Sequence, residues 1–151
     1  MGEYRLGEVC GRPLDTTVTL ARAILTGVME RHTLNLLCPH AGGAICTVAD
    51  RLDFGHELRD YAPLGPWGEV HLPLPPSHYV RQLWLDTVTF GARALRIAVE
   101  TVGAERVCFG TDGPPVPFAI ERHRSYVNEV ITEGPQRDAV MGGNAERLFR
   151  L

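Results

Sequence analysis

The chain has 151 residues, 44% of them hydrophobic, and a formal net charge of −3. Lys and Arg are scattered rather than clustered, so no basic face is offered to nucleic acid or to an anionic membrane surface. The opening residues hold no signal-peptide core, and no uncharged apolar run approaches the ~20 residues of a membrane helix, which predicts a cytoplasmic protein with one domain over residues 1–151.

From Asp15 to Arg31 the apolar residues Leu20, Ala21, Ile24, Leu25, Val28 and Met29 recur at three- and four-residue steps, behind an Asp able to cap the first turn. That spacing predicts an amphipathic helix. Leu34 to Cys38 is a short, mostly apolar run ended by Pro39, as expected of a strand buried on both faces. After Gly42-Gly43, residues 44 to about 60 are compatible with a helix. The proline-rich stretch from Pro63 to Pro76 excludes regular structure and predicts a long loop.

Residues 83 to 88 (LWLDTV) predict a second buried strand, and the stripe Phe90, Ala94, Ile97, Ala98, Val102 a helix that stops at Gly103. Arg106 to Gly110 predicts a third strand. Helices are then expected from Phe118 to about Thr132 and from Pro135 to Val140, followed by a last turn with Asn144 as its N-cap. Cys10, Cys38, Cys46 and Cys108 form no C-x-x-C pair, so reduced structural thiols are expected, with Cys38 and Cys108 buried in apolar runs. Alternating buried strands and amphipathic helices imply right-handed crossovers and a parallel sheet, hence an α/β fold. A full (β/α)8 barrel takes ~250 residues, so about three β-α units read as a portion of a TIM-type barrel.

In parallel sheets, ligands sit at the carboxyl ends of the strands. The polar residues that follow the three predicted strands are His40, Asp86 and Asp112. Each could be a mere helix cap; an imidazole and two carboxylates in succession point to an active-site rim. His40, among small residues in CPHAGGA, could bind a metal or move protons near neutral pH. A phosphate cradle is the rival for these glycines, but the segment lacks both G-x-G-x-x-G and a Walker lysine. Asp112, between an apolar strand and a Gly-Pro turn, suits a hard or borderline cation, with Zn²⁺ accepting mixed imidazole and carboxylate ligands.

The segments CPHAGGA, VCFGTDGP and GGNAERL resemble, in order and spacing, the C-terminal part of the amidohydrolase branch that includes aminocarboxymuconate-semialdehyde decarboxylase and the resorcylate-type decarboxylases. The resemblance implies that Asp112 matches the aspartate at the end of the eighth strand that binds a catalytic divalent metal, usually zinc. By the same resemblance His40 matches the acid-base histidine. Arg51 matches an arginine that reaches a neighbouring subunit's site and holds a substrate carboxylate, its alternative being a solvated helical residue. Asn144 matches a family asparagine and is read as a helix cap. His32, His56, His71, His78 and His123 match no functional position and are expected at the surface or in loops.

Two departures go with the resemblance. The family's His-x-His pair on the first strand and its middle-strand histidine have no counterpart in these residues, so the other ligands are expected from elsewhere, and one carboxylate holds zinc poorly. Ala41 and Gly113-Pro114-Pro115 also differ from common family residues, which leaves the substrate open. The leading expectation is a metal-dependent decarboxylase portion acting on a small carboxylated, unsaturated or aromatic substrate. The alternatives are a metal-dependent hydrolase of a lactone or amide, and a truncated, non-catalytic chain that associates with copies of itself through open sheet edges.

Overall fold

Three short strands, β1 (Leu37–Cys38), β2 (Trp84–Asp86) and β3 (Val107–Cys108), pair in parallel in the order β1-β2-β3. They belong to a computed structural model that describes residues 3–59 and 72–151. The chain divides into two compact units, one of Met1–Leu34 with Gly43–Gln82 and the other of Asn35–Gly42 with Leu83–Leu151; the sheet lies wholly in the second.

In the first unit, α1 (Arg12–Leu25) starts with Pro13 in its first turn, where a missing N–H costs nothing. Asp15 therefore sits inside that turn and is not the N-cap. The expected single helix to Arg31 is cut by Gly27, whose φ of 74° only glycine adopts readily, and resumes as α2 (Val28–Arg31). Then α3 (Ile45–Leu58) matches the expected helix, and α4 (Pro76–Val80) is a short helix that begins at the last residue of the expected loop, in a stretch for which no element is predicted. Most of that expected loop, residues 63–71, lies outside the described residues. Helix α1 packs on α3 and α4. Its Thr17 hydroxyl accepts the Ala44 N–H (2.8 Å) and donates to the Pro13 carbonyl (2.7 Å), tying the start of α3 to α1. A Cβ at Gly43 would overlap the Pro13 carbonyl oxygen, so the approach requires glycine.

In the second unit the strands are shorter than their apolar runs. Leu34 and Leu36 are exposed, and β1 begins only where the Leu36 carbonyl accepts the Trp84 N–H (3.1 Å). Strand β3 ends because the Phe109 N–H leaves the sheet for the Val140 carbonyl (2.9 Å). Helix α5 (Ala92–Val102) buries Leu95, Ala98 and Val102, each large side chain worth ~1.5–3 kcal/mol once removed from water. Ala94 is exposed, so the buried stripe is turned from the expected one. Gly103 ends the helix at φ 83°. α5 packs on β3 and on α6 (Ile120–Val130), and α7 (Gly134–Asp138) leads through a π-helical turn to α8 (Asn144–Phe149).

Leu148 of α8 packs with Trp84 and Cys108, whose ring and thiol lie on one face of the sheet. The guanidinium groups of Arg106 and Arg147 lie 5.5 and 5.3 Å from the Trp84 ring centre. Asn144 has helical backbone angles and is no N-cap; its fully buried amide serves the loop before β3 instead. His123, expected at the surface, is 1% exposed on α6.

Candidate active site

The carboxyl ends of β1, β2 and β3 share one edge of the sheet, since the strands are parallel. His40 follows β1, Asp86 is the last residue of β2, and Asp112 lies just beyond β3, all within one unit. Four consecutive residues, His40 to Gly43, have left-handed φ values of 57°, 50°, 74° and 68°. For the two glycines this is ordinary; for His40 and Ala41 it costs of order 1–3 kcal/mol each and persists only where the surroundings over-determine it.

What holds them is Asp86. Its Oδ2 accepts the His40 N–H at 3.2 Å, and its Oδ1 accepts the N–H groups of Ala41 at 2.7 Å and Val88 at 3.0 Å. Successive left-handed residues turn adjacent N–H groups toward one concave point, which suits a carboxylate. The Gly42 N–H closes the turn on the Pro39 carbonyl (2.9 Å). Burial pushes the Asp86 carboxyl above the ordinary aspartate range, and the three N–H donors, Ala41 first, pull it partly back. His40 is half-buried, with Ala41 and Gly42 buried beside it.

Asp112 is exposed and also left-handed, at φ 56°, a conformation that Asp tolerates better than most residues. Its carbonyl accepts the Val116 N–H (3.0 Å), closing a turn that contains a cis Gly113-Pro114 peptide. The approach to Asp112 is fixed by Thr87. The Thr87 hydroxyl donates to the Gly110 carbonyl (3.1 Å) and accepts the Gly110 N–H (3.0 Å), extending the β2–β3 pairing past the last strand residue. A Cβ at Gly110 would press Val88 Cγ2 at 3.3 Å and meet Asp86 Cβ at 3.5 Å, so the segment runs close beside Asp86.

Of the residues expected from sequence, His40 and Asp86 are joined directly and Asp112 shares their sheet edge. Arg51 is exposed on α3, in the other unit. Asn144 is a buried structural residue. His56 bonds to the Leu72 carbonyl and to Arg59, His32 and His78 are exposed, and His71 lies outside the described residues. Among the described residues no three His, Cys, Asp or Glu side chains converge to hold a metal ion. Asp112 therefore offers one carboxylate, and the described residues do not by themselves make a cation site. Sequence reasoning places Thr87 in the predicted second strand without a role of its own; its one signal is a hydroxyl at the end of an apolar run beside Asp86.

A family profile described as amidohydrolase matches residues 8–151. The sequence is 28% identical, over 155 aligned positions, to a 2-amino-3-carboxymuconate-6-semialdehyde decarboxylase of Dictyostelium discoideum, covering 100% of this chain and 41% of that protein. The crystal structure of a 5-carboxyvanillate decarboxylase from Sphingomonas paucimobilis superposes with a TM-score of 0.83 at 28% identity, over 99% of this chain and 44% of that one. A 5-carboxyvanillate decarboxylase from Novosphingobium aromaticivorans, complexed with manganese and 4-hydroxy-3-methoxy-5-nitrobenzoic acid, superposes with a TM-score of 0.83 at 20% identity, over 96% of this chain and 41% of that one. The chain thus spans less than half the length of the relatives it matches. With a family match over nearly all its residues and a polar rim at the carboxyl edge of a parallel sheet, the chain belongs to the amidohydrolase family.

Proposed function

We propose that this chain is the portion of a divalent-metal-dependent decarboxylase that carries the proton-transfer group, acting on a small carboxylated aromatic or unsaturated acid, and that it amounts to about three β-α units of a TIM-type barrel. The observation that carries the reading is His40, held in a left-handed turn at the sheet's carboxyl edge with its backbone bonded to Asp86. The decarboxylase names of its relatives support the reaction class.

Loss of CO2 leaves an electron pair on the carbon that bore the carboxylate, and that carbon must then be protonated. An imidazole titrates in the range where it can give up a proton and regain it from water, and such a group contributes ~10²–10⁴-fold. His40 is the imidazole on this edge, half-buried and therefore reachable by substrate. The exposed Asp112 carboxylate is proposed as one ligand of the cation, zinc or manganese, the other ligands lying beyond the described residues. Arg51 is proposed to bind a substrate carboxylate in a second copy of the chain, where its guanidinium can donate two parallel N–H bonds.

The test uses the purified chain dialysed against zinc and, in parallel, manganese, then given 5-carboxyvanillate while CO2 release and bound metal are measured. CO2 release that His40→Ala cuts ~10²–10⁴-fold and Asp112→Asn abolishes supports the reading. Cleavage of a lactone or amide without CO2 release replaces it with a hydrolase, and a chain that neither retains metal nor turns over is non-catalytic on its own.

A further inference from the structure

We infer that Asp86 is a positioning residue for the reaction, setting the orientation of His40 by holding its backbone N–H rather than by touching substrate. The inference rests on the reading of His40 as the proton-transfer group.

Three observations converge on it. First, the two carboxylate oxygens divide their work: Oδ2 takes the His40 N–H at 3.2 Å, while Oδ1 takes Ala41 at 2.7 Å and Val88 at 3.0 Å. The Val88 bond lies two residues ahead of Asp86 itself, a local turn that orients the carboxylate before it reaches across to the β1 end. Second, His40 and Ala41 are both left-handed, so the direction of the His40 side chain depends on whatever holds φ at 57° and 50°. Third, Asp86 is itself held in place: its Cβ lies beside Gly110, where an added Cβ would touch it at 3.5 Å and press the neighbouring Val88 Cγ2 at 3.3 Å, and Thr87 clamps that glycine from the adjacent position. The chain from the β3 end thus braces the residue that braces His40. The carboxylate spends its bonds on backbone donors, which is why it acts through His40.

Asparagine discriminates this role from bulk folding support. In Asp86→Asn the amide oxygen can still accept from Ala41 and Val88, but its NH2 must then face the His40 N–H, donor against donor. The experiment compares Asp86→Asn, His40→Ala and the double variant by steady-state decarboxylation, alongside amide hydrogen exchange of the unsubstituted and Asp86→Asn chains. The expected result is a fall in kcat of ~10- to 100-fold with KM little changed, as for residues that orient a catalytic group. No further loss should follow when the substitution is added to His40→Ala. Exchange at His40 should quicken by about a factor of 10, while exchange at Leu85 and Val107 stays as it was. An equal loss in the His40→Ala background, or unchanged exchange at His40, overturns the inference.

If the unsubstituted chain shows no decarboxylation, it is the proposed function that fails, and the exchange measurement alone decides whether Asp86 holds the turn. Should Asp86→Asn not fold, scalar couplings across the hydrogen bonds, from the His40 and Ala41 nitrogens to Asp86 Cγ in the unsubstituted chain, carry the same decision: couplings present uphold the inference and couplings absent overturn it.

Discussion

The side-chain amide of Asn144 donates to the Val107 carbonyl at 2.6 Å and to the Ala104 carbonyl at 2.8 Å, fastening the start of α8 to the point where the chain enters β3. Its own carbonyl oxygen accepts Arg147 Nη2 at 3.2 Å, so all of the amide's principal bonds are internal. Asn144→Ala removes both donors in a fully buried place; the Ala104 carbonyl keeps the Val107 N–H, so the Val107 carbonyl bears the larger loss. The expected cost is about 1–3 kcal/mol, read as a lowered urea midpoint. Asn144→Asp should cost at least as much, because it substitutes a buried acceptor for the donor. A midpoint unmoved by either variant would show that the amide fastens nothing.

Thr87 acts on the other side of the same strand. Its hydroxyl is both donor and acceptor to Gly110, and the residue is 1% exposed. Thr87→Val keeps the shape and deletes both bonds, so it should destabilise by about 1–3 kcal/mol and speed amide exchange at Gly110. If Asp112 ligates a cation, metal affinity should fall with it, since the Gly110–Thr111 segment is what delivers that carboxylate; Thr87→Ser should restore both properties.

Why some of this was legible in sequence and some was not follows from the range of each interaction. Strand order along the chain and the helices at 45–58 and 92–102 rest on local periodicity and on glycines, so they could be read directly. Strand length could not, because β1 and β3 stop where the Leu36 carbonyl and the Phe109 N–H find partners far away in sequence. The strand-end rule located His40, Asp86 and Asp112, but not that Asp86 spans 46 positions to hold His40. The cap expected of Asn144 fails for the same reason: Asn before a helix fits a cap locally, whereas its partners lie 37 and 40 positions back.

His123 is another residue whose pattern misled. It is 1% exposed on α6, with ring centres of Phe90, Phe118 and Tyr126 6.1 to 6.4 Å away, and neither ring nitrogen has a partner among the described residues. A buried polar group without a hydrogen bond costs about 1–3 kcal/mol. His123→Phe is therefore expected to leave stability unchanged or to raise it, measured as Tm by calorimetry, because an aromatic ring of similar shape keeps the packing and sheds the nitrogens. A Tm lowered by several degrees would mean that the imidazole has a partner beyond the described residues.

Alkaline pH tests the first unit through Tyr79. Its phenol donates to Glu30 Oε2 at 2.5 Å, and burial together with this bond pushes its pKa from 10.0 up to about 12. The unfolded chain releases the proton near the ordinary value of about 10, so between there and about 12 the folded state holds more protons than the unfolded one. Stability from this group is then complete below about pH 10 and is lost as pH rises toward 12. Tyr79→Phe should lower stability at neutral pH by about 1–2 kcal/mol. It should also flatten the alkaline limb of the stability curve, since phenylalanine has no proton to lose. Urea midpoints taken from pH 8 upward for both chains check this, and an alkaline limb equally steep in Tyr79→Phe would assign the loss of stability to other groups.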